Sequence, residues 1–115
     1  PLDDGGQDLF IQTEKFHAQV AADVPADQAA LMAATQRPVT YAALAEPTTG
    51  TAWKSIPSYF IYGTADLNIP AQVLAFMAER ANAREVRVLE GASHAVMVSH
   101  PDDVAALIID AARAE

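Results

Sequence analysis

The chain has 115 residues, the size of one ordinary domain, enough to bury about two-thirds of the surface its unfolded form exposes around a single core. Its 7 basic against 15 acidic residues give a formal charge of −8 spread along the chain, with Lys only at Lys15 and Lys54, which argues against nucleic acid or anionic membrane as a partner. Without Cys it has no disulfide, thiolate metal site or cysteine nucleophile, and no apolar run approaches the roughly 20 residues of a membrane span.

From the N-terminus, Asp8 to Ala22 carry Phe10, Thr13, His17 and Val20 at helical spacing. Pro25 opens a second helical stretch through Leu31 and Met32, ended by Pro38, and a third short piece runs from Tyr41 to Ala45 before Pro47. The small polar run Thr48-Thr49-Gly50-Thr51 then marks a change of texture. Beyond it, Ser58-Tyr59-Phe60-Ile61-Tyr62 is aromatic and β-branched, follows Pro57 and stops at Gly63, as a buried strand does. Pro70 stands in the first turn of a helix with Ile69, Val73, Met77 and Ala81 every four residues, flanked by Leu74. Glu85-Val86-Arg87-Val88-Leu89 is the next strand, stopping at Gly91. A last helix begins after Pro101, with Ser99 and Asp102 in capping-box spacing and Val104, Leu107, Ile108 and Ala111 along its apolar face. Strand, helix, strand, helix implies an α/β unit with parallel strands and a right-handed crossover. Two parallel strands make a poor sheet alone, so neighbouring strands are expected beside them.

Both strands end alike, in Gly63-Thr64-Ala65-Asp66 and Gly91-Ala92-Ser93-His94. Functional groups of open parallel sheets collect in such loops, and strands about 4.8 Å apart would bring a carboxylate and an imidazole at matching positions together. Each residue also has a plainer reading, Asp66 as a helix-capping or turn residue and His94 as a surface or hydrogen-bonded loop residue. Their equivalent placement on consecutive strands is what those readings leave unexplained. Gly91-Ala92-Ser93-His94-Ala95 also comes close to the elbow G-x-S-x-G. However, the hydrolase order is Ser, then Asp or Glu, then His. After Ser93 come His94 and His100, and the carboxylates Asp102 and Asp103 follow both. Ser93 therefore reads as a loop residue and His100 as the lead into the last helix.

Taken together, Ile56-Pro57-Ser58-Tyr59-Phe60-Ile61-Tyr62-Gly63-Thr64-Ala65-Asp66, Ile69-Pro70, Gly91-Ala92-Ser93-His94 and His100-Pro101 resemble the C-terminal half of an α/β-hydrolase. The similarity is greatest to the small esterase-like branch with plant methyl esterases and hydroxynitrile lyases. The resemblance implies that Asp66 is the triad acid and His94 the triad base. It makes residues 1–52 a helical cap or lid, with its helices between about Leu9 and Ala45, and residues 53–115 the C-terminal βαβα portion of the core.

The family's earlier strands, its G-x-S-x-G serine and both oxyanion-hole amides have no counterpart in this string, so the missing N-terminal half of the hydrolase domain is the expected partner. The string starts at Pro1 without Met or leader, which reads as a processed product or a piece of something longer. The implied activity is carboxylester hydrolysis of a small-molecule substrate, with no metal or organic cofactor, and the 115 residues alone are expected to be inactive. The three His residues also lack tight ligand spacing.

The substrate-binding residues stay unassigned. Phe10, Phe16, Leu31, Met32 and Tyr41 are candidates to line a pocket, although apolar residues at helical spacing are usually plain core, and His17 and Lys54 are further candidates whose ordinary readings, packing for His17 and exposure for Lys54, are the favoured ones. Hydroxynitrile lyase, dehalogenase or C–C hydrolase chemistry on the same Asp and His is the first alternative. A non-catalytic fragment or interaction module is the second. A cytoplasmic location is expected, with secretion of a processed form left open, and an isolated piece with an unpaired sheet edge is expected to self-associate.

Overall fold

The computed structural model describes residues 5–114. Its N-terminal part is helical: α1 (Thr13–Val20) packs on α2 (Ala26–Thr35), followed by the single turn α3 (Tyr41–Ala45). The expected helix from Asp8 is shorter than its periodicity suggests. Residues Asp8–Leu9 instead form strand β1, antiparallel to β2 (Val39–Thr40), with Asp8 opposite Thr40 and Leu9 opposite Val39. Gln36 secures this exit, accepting from Ile11 N–H at 3.0 Å and donating to Ile11 C=O at 2.8 Å. Thr40 caps α3 by accepting from Ala43 N–H at 3.2 Å.

Phe16, Ala21, Val24, Ala29 and Ala33 form the core between α1 and α2, and Ala95, from far along the chain, is buried among them. Of the pocket candidates, Phe16 and Met32 belong to this core, while Phe10, Leu31 and Tyr41 are exposed.

The second part is α/β. A 3-10 turn (Ala52–Lys54) leads to β3 (Tyr59–Gly63), α4 (Ala71–Arg80), β4 (Glu85–Leu89), the short α5 (Val96–Ser99) and α6 (Pro101–Arg113). Strands β3 and β4 are parallel, Tyr59 beside Glu85 through Gly63 beside Leu89. In the 3-10 turn the Trp53 ring lies 5.4 Å from Lys54 Nζ and 4.9 Å from the Arg80 guanidinium carbon. Lys54 is exposed.

Helix α6 begins as its sequence dictates, with Pro101 at the first position and Asp102 and Asp103 in the first turn, where the helix dipole favours acids. The anticipated capping box does not form. His100 is the N-cap residue and makes no side-chain cap bond, and Ser99 Oγ bonds back to Ala95 C=O at 3.3 Å inside α5.

The expected apolar face of α4 is rotated, and that of α6 is narrower than expected. On α4 the buried side carries Ala78, with Ala71, Leu74 and Ala81 half-buried, while Val73, Phe76 and Met77 are exposed. On α6 Leu107 is buried and Val104 and Ala111 half-buried, while Ile108 is exposed. Strand β4 alternates likewise. Arg87, bonded to Glu85 at 2.7 Å and to Asp110 of α6 at 2.5 Å, lies on the covered side, while Val86 and Val88 are exposed. Both helices thus carry a second apolar side beyond the one they bury here, and β4 shows valines where an interior strand would be covered.

Candidate active site

The loops after β3 and β4 continue the parallel pairing past the strand ends. Thr64 N–H donates to Leu89 C=O at 3.0 Å, Ala65 N–H to Ala92 C=O at 3.0 Å, and Gly91 N–H to Thr64 Oγ1 at 2.8 Å. The approach is close enough to require glycine at Gly63, where a Cβ would stand 2.0 Å from the Ala92 carbonyl oxygen. Gly91 turns the chain with φ +74°, a backbone conformation that other residues rarely adopt.

This zipper brings Asp66 and His94 together, with His94 Nδ1 2.7 Å from Asp66 Oδ2. Asp66 is buried, and its other oxygen accepts from Asn68 N–H at 2.8 Å and Ile69 N–H at 2.9 Å. One carboxylate oxygen therefore shapes the turn before α4 and the other meets the imidazole. Burial pushes the Asp66 carboxyl up, but the Ile69 N–H, the His94 ring and the Asn68 N–H outweigh it and hold the group below its ordinary value. An ionised carboxylate can only accept, so Nδ1 of His94 carries the proton and donates it. In the neutral ring Nε2 is then the lone-pair acceptor, and no described residue hydrogen-bonds to it. The imidazole is partly open, with its side chain 38% exposed.

Ser93 is 1% exposed, and its hydroxyl faces away from this pair toward α1, lying 3.1 Å from Val20 C=O and in a short hydrogen bond with the Asp23 carboxylate. His100 Nε2 is 3.5 Å from the other Asp23 oxygen and its Nδ1 3.6 Å from Asp103. His17 Nε2 is 2.9 Å from Val24 C=O, within the helical layer. Among the described residues no group of three His, Asp or Glu could hold a metal ion. A cavity of about 450 Å³ bounded by Trp53, Ile56, Asn82 and Arg84 lies at the opposite ends of the strands, away from Asp66 and His94. No helix among the described residues is long and apolar enough to cross a membrane.

Sequence reasoning passed over Asp23, Gln19 and Asn68. Asp23 lies in no motif, and its partner Ser93 is 70 residues distant. Gln19 Nε2 donates to Asn68 Oδ1 at 2.8 Å across 49 residues.

The chain belongs to the alpha/beta hydrolase family, whose model matches residues 2–107. It is similar in fold to the crystal structure of polyneuridine aldehyde esterase, with TM-score 0.79 and 18% identity over 93% of this chain and 44% of that one. It is also similar to a variant of tomato methylketone synthase I complexed with beta-ketoheptanoate, with TM-score 0.73 and 21% identity over 92% of this chain and 42% of that one. The chain thus spans less than half the length of either structure. No curated protein matches it.

Proposed function

We propose that this chain supplies the acid and base of a serine-hydrolase triad acting on small carboxylic esters, Asp66 as the acid and His94 as the base. The nucleophilic serine and the oxyanion hole would come from a preceding half of the same hydrolase domain. The observation that carries this reading is the 2.7 Å contact between Asp66 and His94 Nδ1, with Nε2 left without a described partner. The family membership and the fold likeness to an enzyme named as an esterase support it.

In the proposed reaction Nε2 removes the proton of the serine hydroxyl as its oxygen attacks the ester carbonyl, then delivers that proton to the departing alcohol. Water follows the same route: it gives a proton to Nε2, attacks the acyl-serine carbonyl and releases the acid as the serine oxygen recovers the proton. Asp66 keeps Nδ1 protonated and offsets the charge of the imidazolium.

In this proposal residues 1–52 form the cap over the substrate. The preceding strands cover Val86, Val88 and the exposed side of α4, where the unsatisfied apolar surface supports a large intramolecular partner. Ser93, buried with its hydroxyl bonded to Asp23, leaves the 115 residues without a nucleophile.

The test is hydrolysis of p-nitrophenyl acetate by the 115-residue chain and by the same chain extended upstream through a G-x-S-x-G serine. Turnover is expected only in the extended protein and is expected to vanish with His94→Ala. Hydrolysis by the short chain that disappears with Ser93→Ala would overturn the proposal, as would full activity in extended His94→Ala.

A further inference from the structure

The end of α1 touches both turns that carry the Asp66–His94 pair. Val20 C=O accepts from Ala95 N–H at 3.0 Å, and Ser93 Oγ lies 3.1 Å from the same oxygen. The residues on either side of His94 are therefore both held by one turn of chain. The Ser93 hydroxyl has a single proton, and the Asp23 carboxylate is both the nearer acceptor and the charged one, so the proton goes there. Ser99 and His100 also face Asp23, and Asp103 faces His100 from the other side. On the acid side, Gln19 bonds Asn68, whose N–H is one of the two that hold Asp66.

Ala95 is 2% exposed within the α1–α2 core, so the His94 turn is built partly on the helical layer rather than on its own strand. None of Gln19, Val20 or Asp23 hydrogen-bonds to the His94 ring.

We propose that Asp23 is a positioning residue for His94: by holding the buried Ser93 hydroxyl it fixes the turn so that the His94 ring stays hydrogen-bonded to Asp66 with Nε2 aimed at the reacting serine. The inference rests on the proposed esterase reading for its catalytic consequence, but its geometric part stands without it. A ring allowed to swing on its turn loses the alignment that triad chemistry needs, and a displacement on the order of 1 Å costs up to about 10²-fold.

The experiment compares Asp23→Ala, Asp23→Asn and Ser93→Ala in the intact protein, with folding checked by circular dichroism. The first readout needs no substrate: the exchange rate of the His94 Nδ1 proton with water, followed on histidine labelled with 15N. Asp23→Ala is expected to accelerate that exchange about tenfold. Asp23→Asn, whose amide oxygen still accepts from Ser93, should recover part of the protection.

The second readout is p-nitrophenyl acetate hydrolysis, in which kcat should fall about tenfold in Asp23→Ala with KM little changed. Combining Asp23→Ala with Ser93→Ala should add little to either single effect. If Asp23→Ala does not fold, Asp23→Asn and Ser93→Ala carry the same comparison. Folded variants with wild-type exchange and wild-type kcat would overturn the positioning role, as would additive single effects. Faster exchange in a protein that hydrolyses no ester would retain the positioning role and remove the esterase reading. Ester hydrolysis unaffected by Asp23 variants would do the reverse.

Discussion

The carboxylate of Asp66 is divided between two tasks, one oxygen taking backbone N–H groups of Asn68 and Ile69 and the other holding His94 Nδ1 at 2.7 Å. Replacing it with Asn keeps the size and one acceptor but presents an NH₂ group that can turn toward the ring. The imidazole would then move its proton to Nε2, where it blocks proton abstraction. In the extended enzyme Asp66→Asn is expected to lower kcat about 10⁴-fold, measured with a chromogenic ester, and the tautomer change should appear in the 15N shifts of His94. A loss below tenfold with the tautomer unchanged would remove Asp66 from the proposed triad.

The two histidines at this end of the chain should separate cleanly. His94→Ala removes the only ring bound to Asp66 among the described residues, whereas His100 stands at the N-terminus of α6 with its nitrogens 3.5 and 3.6 Å from Asp23 and Asp103. Initial rates should show nearly complete loss for His94→Ala and most of the turnover kept for His100→Ala. The opposite ranking would transfer the base to His100.

Acid should unfold the protein through a small set of carboxylates. Asp66 is held below its ordinary value of 3.8 by Ile69, His94 and Asn68 against the opposing effect of burial. Asp23 is held below 3.8 by Ser93 and Ser99, again against burial. Both groups give up protons more readily folded than unfolded, so the unfolded chain binds more protons in acid. Their stabilisation is complete above about the unfolded value and is lost as pH falls below it through the lower folded values. Denaturation midpoints measured from pH 6 down to about pH 2 should fall less steeply for Asp66→Asn than for the wild type. Parallel curves would show that Asp66 is not a source of the acid sensitivity.

Gly63 and Gly91 should fail differently when given a methyl group. At Gly63 the Cβ meets backbone, the Ala92 carbonyl at 2.0 Å and the Ser93 oxygen at 2.9 Å, so the loops carrying Asp66 and His94 must part. A cost of about 3 kcal/mol or more is expected, at the upper end of overpacking. At Gly91 no atom beyond its chain neighbours lies within 4 Å of the added Cβ and only the φ of +74° resists, for about 1–2 kcal/mol. Thermal melts of the two alanine variants should rank them in that order. A better-tolerated Gly63→Ala would mean that the two loops do not need this close approach.

Much of the α/β part is written locally, in Pro57 before one strand, Gly63 and Gly91 after each, and five-residue runs too short and too β-branched for helices. Those signals also place Asp66 and His94 in the loops just beyond adjacent strands, although the register pairs Gly63 with Leu89 and not with Gly91. The buried side of α4 is not local information. With Val73, Leu74, Phe76, Met77 and Ala78 around it, the helix is apolar on more than one side, and only its neighbours decide which side is covered. The β1–β2 pair is two residues long on each strand, below the length at which alternation is visible. Asp23 escaped because side chains meeting across 70 residues leave no periodic trace.

The short clasp between β1 and β2 gives the segment it closes an unusual independence. The chain leaves at Asp8 and returns opposite it at Thr40, so everything between is an excursion with a shared doorway. Such an excursion can be lengthened, shortened or exchanged at little cost in loop entropy, without moving the strands that follow. The freedom has one tether, because Gln19, Val20 and Asp23 reach back to the Asp66 and His94 turns. Variation should therefore be tolerated on the exposed side of α2 and at the exposed tips, while a graft that displaces the end of α1 would disturb the turns that hold Asp66 and His94.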